Sequence, residues 1–533
     1  MQLKHFIIAI IAAWLCLPGC SKDNVASSGK DPYQDTVTPA ILISKGGVLP
    51  DRGRVNDEIT IRGKGFKQHE AELSILFNGR AGNILAVTDS TVRVKVPAYA
   101  STGNITAQVG QQFFFGPFFR VLGVMETDTI YPSSRGADNA IQDIIPVEGG
   151  KYLIVGDFTN FDNANIDGGV NRVARINGDG TLDKSFRYGR NTGSPATVVR
   201  AAALPNGRYL VAGSFASYEG LPYVNSIARL YGDGALETVN ITRPSGKVQP
   251  ASALKGGVSG IVTGLHLQQD GKIIVVGYFR YYVQPNFNLV SVTGADSLHL
   301  DSTMVNFIAR LETDGSLDTT YNFDLVNHRG KEGVNGGISR SILLPDGKLL
   351  IAGVFTKYNG QEVQRIARLN TDGSLDLTFK SNAGANFPIY DVAQQPDGKF
   401  IVTGQFTTYG NVTVPHIARI EADGTLDPSL QVGAGAEGTI YNISVMPQGE
   451  IVLSGAFTEF NDVTRNNFAV LNPDGSLHPA YNTNGGINLG TNDVSGAISK
   501  VLQVPGDHAM LVTGSFTRFD FRSCNRILRI RYQ

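Results

Sequence analysis

The 533-residue sequence is poor in the residues that usually announce chemistry. It has three cysteines (Cys16, Cys20, Cys524), one tryptophan (Trp14) and eight histidines. His69, His266, His299, His328, His416, His478 and His508 form no His-x-x-x-His or similar ligand spacing, so no metal centre is expected. There is no Gly-x-Ser-x-Gly elbow and no Gly-x-x-x-x-Gly-Lys-Ser/Thr phosphate loop. No cofactor is expected, and no catalytic residue is assigned. Neither sign of charge is in excess: Lys plus Arg is 46 against 47 for Asp plus Glu. That balance excludes the dense basic surface a nucleic-acid partner needs. Charged residues make up only 17%, low for helical surfaces and natural for a β-rich chain. After Leu17 no apolar run approaches the length that crosses a bilayer.

What is present begins with a leader. Lys4 is followed by an apolar run from Phe6 to Leu17, and then by Leu17-Pro18-Gly19-Cys20. This resembles the lipobox of bacterial lipoproteins. The resemblance implies a signal peptide over 1–19 and lipid on Cys20, with the membrane reached through that anchor. An ordinary secretory signal is the alternative. Cys16 and Trp14 would leave with the leader, so Cys524 would stand alone and no intrachain disulfide could form. Cys524 is then expected to be a small buried apolar residue. Residues 20–38, rich in Ser, Lys, Asp and Pro, read as a flexible tether.

Residues 39–122 show short alternating runs between turn signals. Ile59 and Ile61 alternate with polar residues, Gly63-x-Gly65-Phe66 follows, and Phe77-Asn78-Gly79 carries a hairpin signal. With Pro39, the Val92-to-Pro97 run and Gly116-Pro117-Phe118, these residues resemble the IPT/TIG family of immunoglobulin-like domains. The resemblance implies a β-sandwich used as spacer or interaction module.

Residues 124–533 are a repeat array. Gly-x-Phe-x-x-aromatic begins at Gly156, Gly213, Gly277, Gly353, Gly404, Gly455 and Gly514, with spacings of 57, 64, 76, 51, 51 and 59 residues. Each unit reads as four short strands, which predicts a seven-bladed β-propeller. The second strand is apolar on both faces, as in Leu349-Leu350-Ile351-Ala352, so it is expected between neighbouring blades. The motif glycine is expected where another backbone or a ring approaches closely. The last unit stops after its third strand, and Met125-to-Tyr131 resembles the end of a unit such as Asp318-Thr319-Thr320-Tyr321. That N-terminal strand is predicted to close the propeller. An open solenoid is the runner-up, disfavoured because nothing reads as a terminal cap. Pro345-Asp346-Gly347-Lys348, Gly353-x-Phe355-Thr356-x-Tyr358, Ile366-Ala367-Arg368-Leu369 and Asp372-Gly373-Ser374-Leu375-Asp376 resemble the delta-60 repeat family of exported bacterial propellers. Unit six departs at Val470 and His478, and unit seven at Pro505-Gly506-Asp507.

Periodic acids at Asp179, Asp233, Asp314, Asp372, Asp423 and Asp474 suit either calcium loops or Asx turns. The turn is favoured because no unit alternates acids as a calcium loop does. Periodic Arg175, Arg229, Arg310, Arg368 and Arg419 are expected to pair with Asp183, Glu237, Asp318, Asp376 and Asp427 rather than to line a channel. A ligand site should instead break the repeat. Three stretches do so: Pro244 to Ser259, Val283 to Met304 and Asn322 to Gly337. Ring stacking and amide hydrogen bonds from Tyr281, Tyr282, Asn286, Phe287, Asn288, His299, His328 and Arg329 would suit a sugar. The expectation is a non-catalytic glycan-binding lipoprotein of the cell envelope, in the outer membrane of a Gram-negative bacterium. A protein-interaction or adhesion scaffold gripping an envelope protein, and a carbohydrate-active enzyme with an acid pair in the propeller mouth, are the alternatives.

Overall fold

The computed structural model describes residues 40–123, 125–132, 135–162, 170–186, 193–291, 294, 296–479, 486–489, 494–520 and 522–532. The leader (1–19), the tether (20–38) and Cys20 lie outside the described residues. The compact unit runs over Ile41–Gln533. No helix among the described residues is long and apolar enough to cross a membrane.

The first part is a two-sheet sandwich. One sheet orders Leu42–Leu49, Glu58–Lys64, Thr91–Lys95 and Asn83–Val87. The other orders Arg52–Gly53, Gln112–Val121, Gly103–Val109, Leu73–Phe77 and Arg80–Ala81. Alternation sends Ile59, Ile61, Val92 and Val94 inward, where they meet Ile75, Phe77, Ile105 and Phe119. The Asn78-Gly79 hairpin forms as the sequence predicts. Phe77 pairs with Arg80, and both turn residues take positive φ, 46° and 90°. Gly63 is required by packing, because a Cβ there would strike the Phe66 ring. Tyr99 packs against the apolar cluster shared by the fifth and sixth repeat units.

Each of the first six units is a three-stranded antiparallel sheet. The fourth is Ile338–Leu343, Leu349–Gly353 and Ile366–Leu369. The fourth strand expected in each unit shrinks to a single bridge, such as Leu369↔Leu375. The cause is local. The Asp-Gly turn leaves room for one paired leucine, and the next acid then turns the chain to hydrogen-bond residues two positions on, as Asp376 does with Thr378. The seventh sheet has four strands, because Met125–Thr127 pairs antiparallel with Ile527–Tyr532.

The middle strand is wholly buried, as its two apolar faces predict. At the motif glycine the first strand bulges, between Ile338 and Arg340 in the fourth unit. The bulge brings a carbonyl of that strand against the glycine, so a Cβ at Gly353 would collide with Gly337 O. The same backbone collision awaits a side chain at Gly156, Gly213, Gly277, Gly404, Gly455 and Gly514. The motif phenylalanines are buried in clusters that each join two successive units. A further cluster joins Ile141 and Ile154 of the first unit to Leu511 and Ile527 of the seventh. Cys524 is buried among apolar residues, and burial pushes its thiol up to about 12.

The periodic charges are scaffold. Arg368 Nε donates to Asp376 Oδ2 at 2.7 Å, and Arg175, Arg310 and Arg419 repeat the contact with Asp183, Asp318 and Asp427 at 2.6 to 2.7 Å. Arg229 does the same with Glu237 at 2.7 Å. Two further links were not read from the sequence. The lysine of the first turn joins the same carboxylate, as Lys348 does at 2.8 Å. The arginine also donates across the unit boundary, Arg368 Nη1 reaching Ala422 O at 2.6 Å. Burial pushes Asp183, Asp318, Asp376 and Asp427 up, but donors from Lys, Ser or Thr and Arg outweigh it and hold them well below the usual carboxylate range. The Asp-Gly acids form Asx turns, Asp372 Oδ1 accepting Ser374 N at 2.9 Å with Gly373 at φ 81°. Unit six, with Val470 and His478, keeps only the backbone bond that the other units also make here, His478 N to Val470 O at 3.0 Å.

Candidate functional site

The repeat breaks most strongly between the second and third units, and there two hairpins stand off the scaffold. The first pairs Thr238–Thr242 with Val248–Ser252 across a turn at Pro244-Ser245-Gly246. The second, in the long insertion, pairs Tyr281–Val290 with Asp296–Met304. Both are largely exposed beyond their bases, where Tyr282 and Val283 are buried.

The hairpins wall a cleft of about 950 Å³. This is the upper end of the range for small-molecule sites, roughly 300–1,000 Å³. A clamp joins the tips. Arg243 Nη2 donates to Ser297 O at 2.6 Å, and its guanidinium lies over the Phe287 ring, 5.4 Å from the centroid. Ser245 donates its N–H and its hydroxyl to Asp296, at 3.0 and 2.5 Å. The Ser245 hydroxyl and the nearby Arg243 hold the Asp296 carboxyl below its ordinary value. Asp301 accepts from Asn286 Nδ2 at 3.1 Å across the second hairpin. The lining is thus apolar surface with amides at fixed positions, the combination that orients a polyhydroxylated ligand.

Among the residues expected from sequence, Asn286, Phe287 and Asn288 line this cleft. Tyr282 lies beneath it, buried, with its hydroxyl donating to Gly315 O at 3.1 Å. Tyr281 is exposed at the base of the same hairpin, outside the lining. His299 stands opposite Asn286 in the strand pair and is exposed away from the lining. His328 and Arg329 lie on a separate short hairpin, Phe323–Asp324 with Arg329–Gly330, and do not join the others. The structure adds Tyr223, Arg243, Gln249 and Gln284 to the cleft. The first hairpin was visible in principle, as two alternating runs around Ser245-Gly246.

The cleft thus lies on a repeat propeller that follows an immunoglobulin-like domain. The IPT/TIG domain family matches residues 46–119. The family described as "Domain of unknown function (DUF5122) beta-propeller" matches 150–186, 204–238, 268–290, 292–321, 344–379, 395–430 and 447–479. The chain belongs to this propeller family and carries an IPT/TIG domain ahead of it. The match is interrupted at 291, inside the second hairpin, and does not extend to the seventh unit. No curated protein matches the chain. Among solved structures, a Bacteroides thetaiotaomicron protein of unknown function is similar at 14% identity, covering 79% of this chain and 96% of that one, with a TM-score of 0.28. The WD40 β-propeller domain of Doa1 is similar at 15% identity, covering 76% and 97%, with a TM-score of 0.41. An auxiliary nutrient binding protein from Bacteroides ovatus is similar at 11% identity, covering 92% and 98%, with a TM-score of 0.31.

Proposed function

We propose that this protein is a non-catalytic glycan-binding lipoprotein of the cell envelope, anchored through Cys20 and closed into a ring by Met125–Thr127. The observation that carries the reading is the cleft between the two hairpins. It combines the Phe287 and Tyr223 rings with the amides of Gln249, Gln284, Asn286 and Asn288. Aromatic faces stack on the apolar side of a sugar ring, and amides exchange hydrogen bonds with its hydroxyls. Asp296, one carboxylate of the cleft, is not set up as a general acid. A general acid needs a raised pKa, and Asp296 is held low by Ser245.

The test is affinity electrophoresis against a polysaccharide panel, with release of reducing sugar assayed in parallel. Retardation without release, lost in Phe287→Ala, supports the reading. Release of sugar would convert the site to an enzyme. No retardation across a broad panel would remove the glycan.

One observation favours an adhesion scaffold as a second reading. Strand Gln112–Val121 of the IPT/TIG domain exposes Phe113, Phe115 and Phe118, with Phe115 75% exposed. A pull-down of envelope proteins that fails with Phe113→Ser/Phe115→Ser would favour it.

A further inference from the structure

A second cavity, of about 480 Å³, is bounded by the first strand of every unit. It lies away from the hairpin cleft and shares no lining residue with it. On each of these strands, one position can be aligned by counting two residues on from the partner of the motif glycine. That position holds Asp143, Arg200, Gly264, Arg340, Asp391, Asn442 and Lys500 in chain order. The partner of the motif glycine itself is Ile or Val in every unit. Two residues on, no two successive units agree.

The charges around this ring are unevenly satisfied. Lys500 Nζ donates to Asp143 Oδ1 at 2.6 Å, and Asp143 also accepts Ile144 N and Ala201 N at 2.9 and 3.1 Å. Arg340 pairs with Asp391 at 2.9 Å. Asp391 also accepts Val392 N, Ile443 N and Asn442 Nδ2 at 2.9 to 3.0 Å. Both carboxylates are therefore fully used. Arg200 donates from Nη1 to the carbonyl of its own neighbour, Val199, at 2.9 Å. Among the described residues no carboxylate lies within ion-pair distance of it. The ring holds three cations, Arg200, Arg340 and Lys500, against two carboxylates, Asp143 and Asp391, a surplus of one positive charge. Beside the arginines the third unit has no side chain, Gly264, and the space is bordered by His266, whose Nε2 lies 2.6 Å from Ser341 Oγ. Burial, Arg340 and Arg200 push His266 down to about 4, so it is neutral and offers a hydrogen bond without charge.

A partly buried guanidinium without an acid, in a concave site of this size, is a carboxylate receptor. Its planar fork matches a carboxylate with two parallel hydrogen bonds, and a low-dielectric setting strengthens them. Ser341, Ser444 and His266 line the same space and suit neighbouring hydroxyls. We infer that the axial cavity binds a small hydroxylated carboxylate, of sugar-acid size, with its carboxylate on Arg200. The inference does not depend on the glycan reading of the hairpin cleft.

Calorimetric titration of the purified protein with glucuronate, glucose and inorganic phosphate tests it. Glucuronate is expected to bind, with glucose inactive and phosphate weaker. Arg200→Gln should weaken glucuronate at least about tenfold, the scale of losing a charge-assisted bond. Arg200→Lys, which keeps the charge and loses the fork, should fall between, and Phe287→Ala should bind as the parent does. Four results would overturn the inference: no glucuronate binding, equal binding of glucose, tighter binding of phosphate, or a glucuronate affinity indifferent to Arg200→Gln and Arg200→Lys.

Discussion

Arg368 and Arg200 are both guanidinium groups on propeller strands, and the fold treats them in opposite ways. Arg368 is given a carboxylate, a threonine hydroxyl, a carbonyl of the next unit and the face of Phe379. Arg200 is given one carbonyl from its own strand. The first recurs in unit after unit, and the second occurs once. Repetition in this molecule marks bonds that hold units together, and departure from it marks where both proposals place a ligand. The two hairpins show a similar contrast on a larger scale, since they reach beyond the short hairpins of the other units and wall a cleft of about 950 Å³.

The contrast is open to direct challenge. Its largest expected effect is Asp376→Ala, which would strand Arg368 and Lys348 together. The cost should be about 2–4 kcal/mol, the lower end allowing for solvent at both cations, read from a chemical denaturation curve. Arg200→Gln should cost nothing measurable or stabilise slightly, because it removes a cation that faces Arg340. If the two substitutions cost the same, the distinction between the two arginines fails. Next in size is Gly353→Ala. Its methyl would press on Gly337 O, which should cost about 1–3 kcal/mol, as overpacking does.

Acid should act on the periodic class as a whole. Asp183, Asp318, Asp376 and Asp427 all have depressed folded pKa values. The unfolded value is about 3.9. A depressed group lends stability above the unfolded pKa and withdraws it as pH falls through the folded one. Denaturation midpoints should therefore hold at neutral pH and drop steadily below about pH 5. Asp376→Asn should show a shallower acid dependence than the parent, and an unchanged slope would mean that these carboxylates are not the groups responsible. Phe287→Ala should touch stability only slightly. Loss of its contact with Arg243 should cost about 0.5–1 kcal/mol, while polysaccharide retardation disappears.

The periodic part of this molecule was legible because the same residue types recur at the same place in unit after unit. The motif glycine, the Arg–Asp pairs and the Asx turns could each be reasoned from recurrence and turn chemistry. The third partner, Lys348, was missed because it lies 28 residues from Asp376 and belongs to a turn with its own sufficient explanation. The fourth strand was overcounted, since a Leu between two acids looks like a strand in sequence and makes only one bridge in space. The cleft was half legible. Asn286, Phe287 and Asn288 sit in a visible insertion, but the opposing wall came from a hairpin that read only as a Gly- and Ser-rich irregularity. The axial ring was not legible along the chain at all, because its members come one from each unit. It would have surfaced by aligning the seven first strands on the motif glycine and asking where the copies disagree.

The pairing of Met125–Thr127 with Ile527–Tyr532 also fixes an order of events in time. Asp128 and Arg531, which lock this sheet at 2.8 Å, stand 403 residues apart. Local turns and hairpins can form while the chain is still emerging, but this contact waits until Ile527–Tyr532 has been made. Contacts of such separation form slowly, since loop closure comes before any reward. Until then Met125–Thr127 is an unpaired strand and the seventh sheet is incomplete, two surfaces open to capture by a chaperone or by another copy.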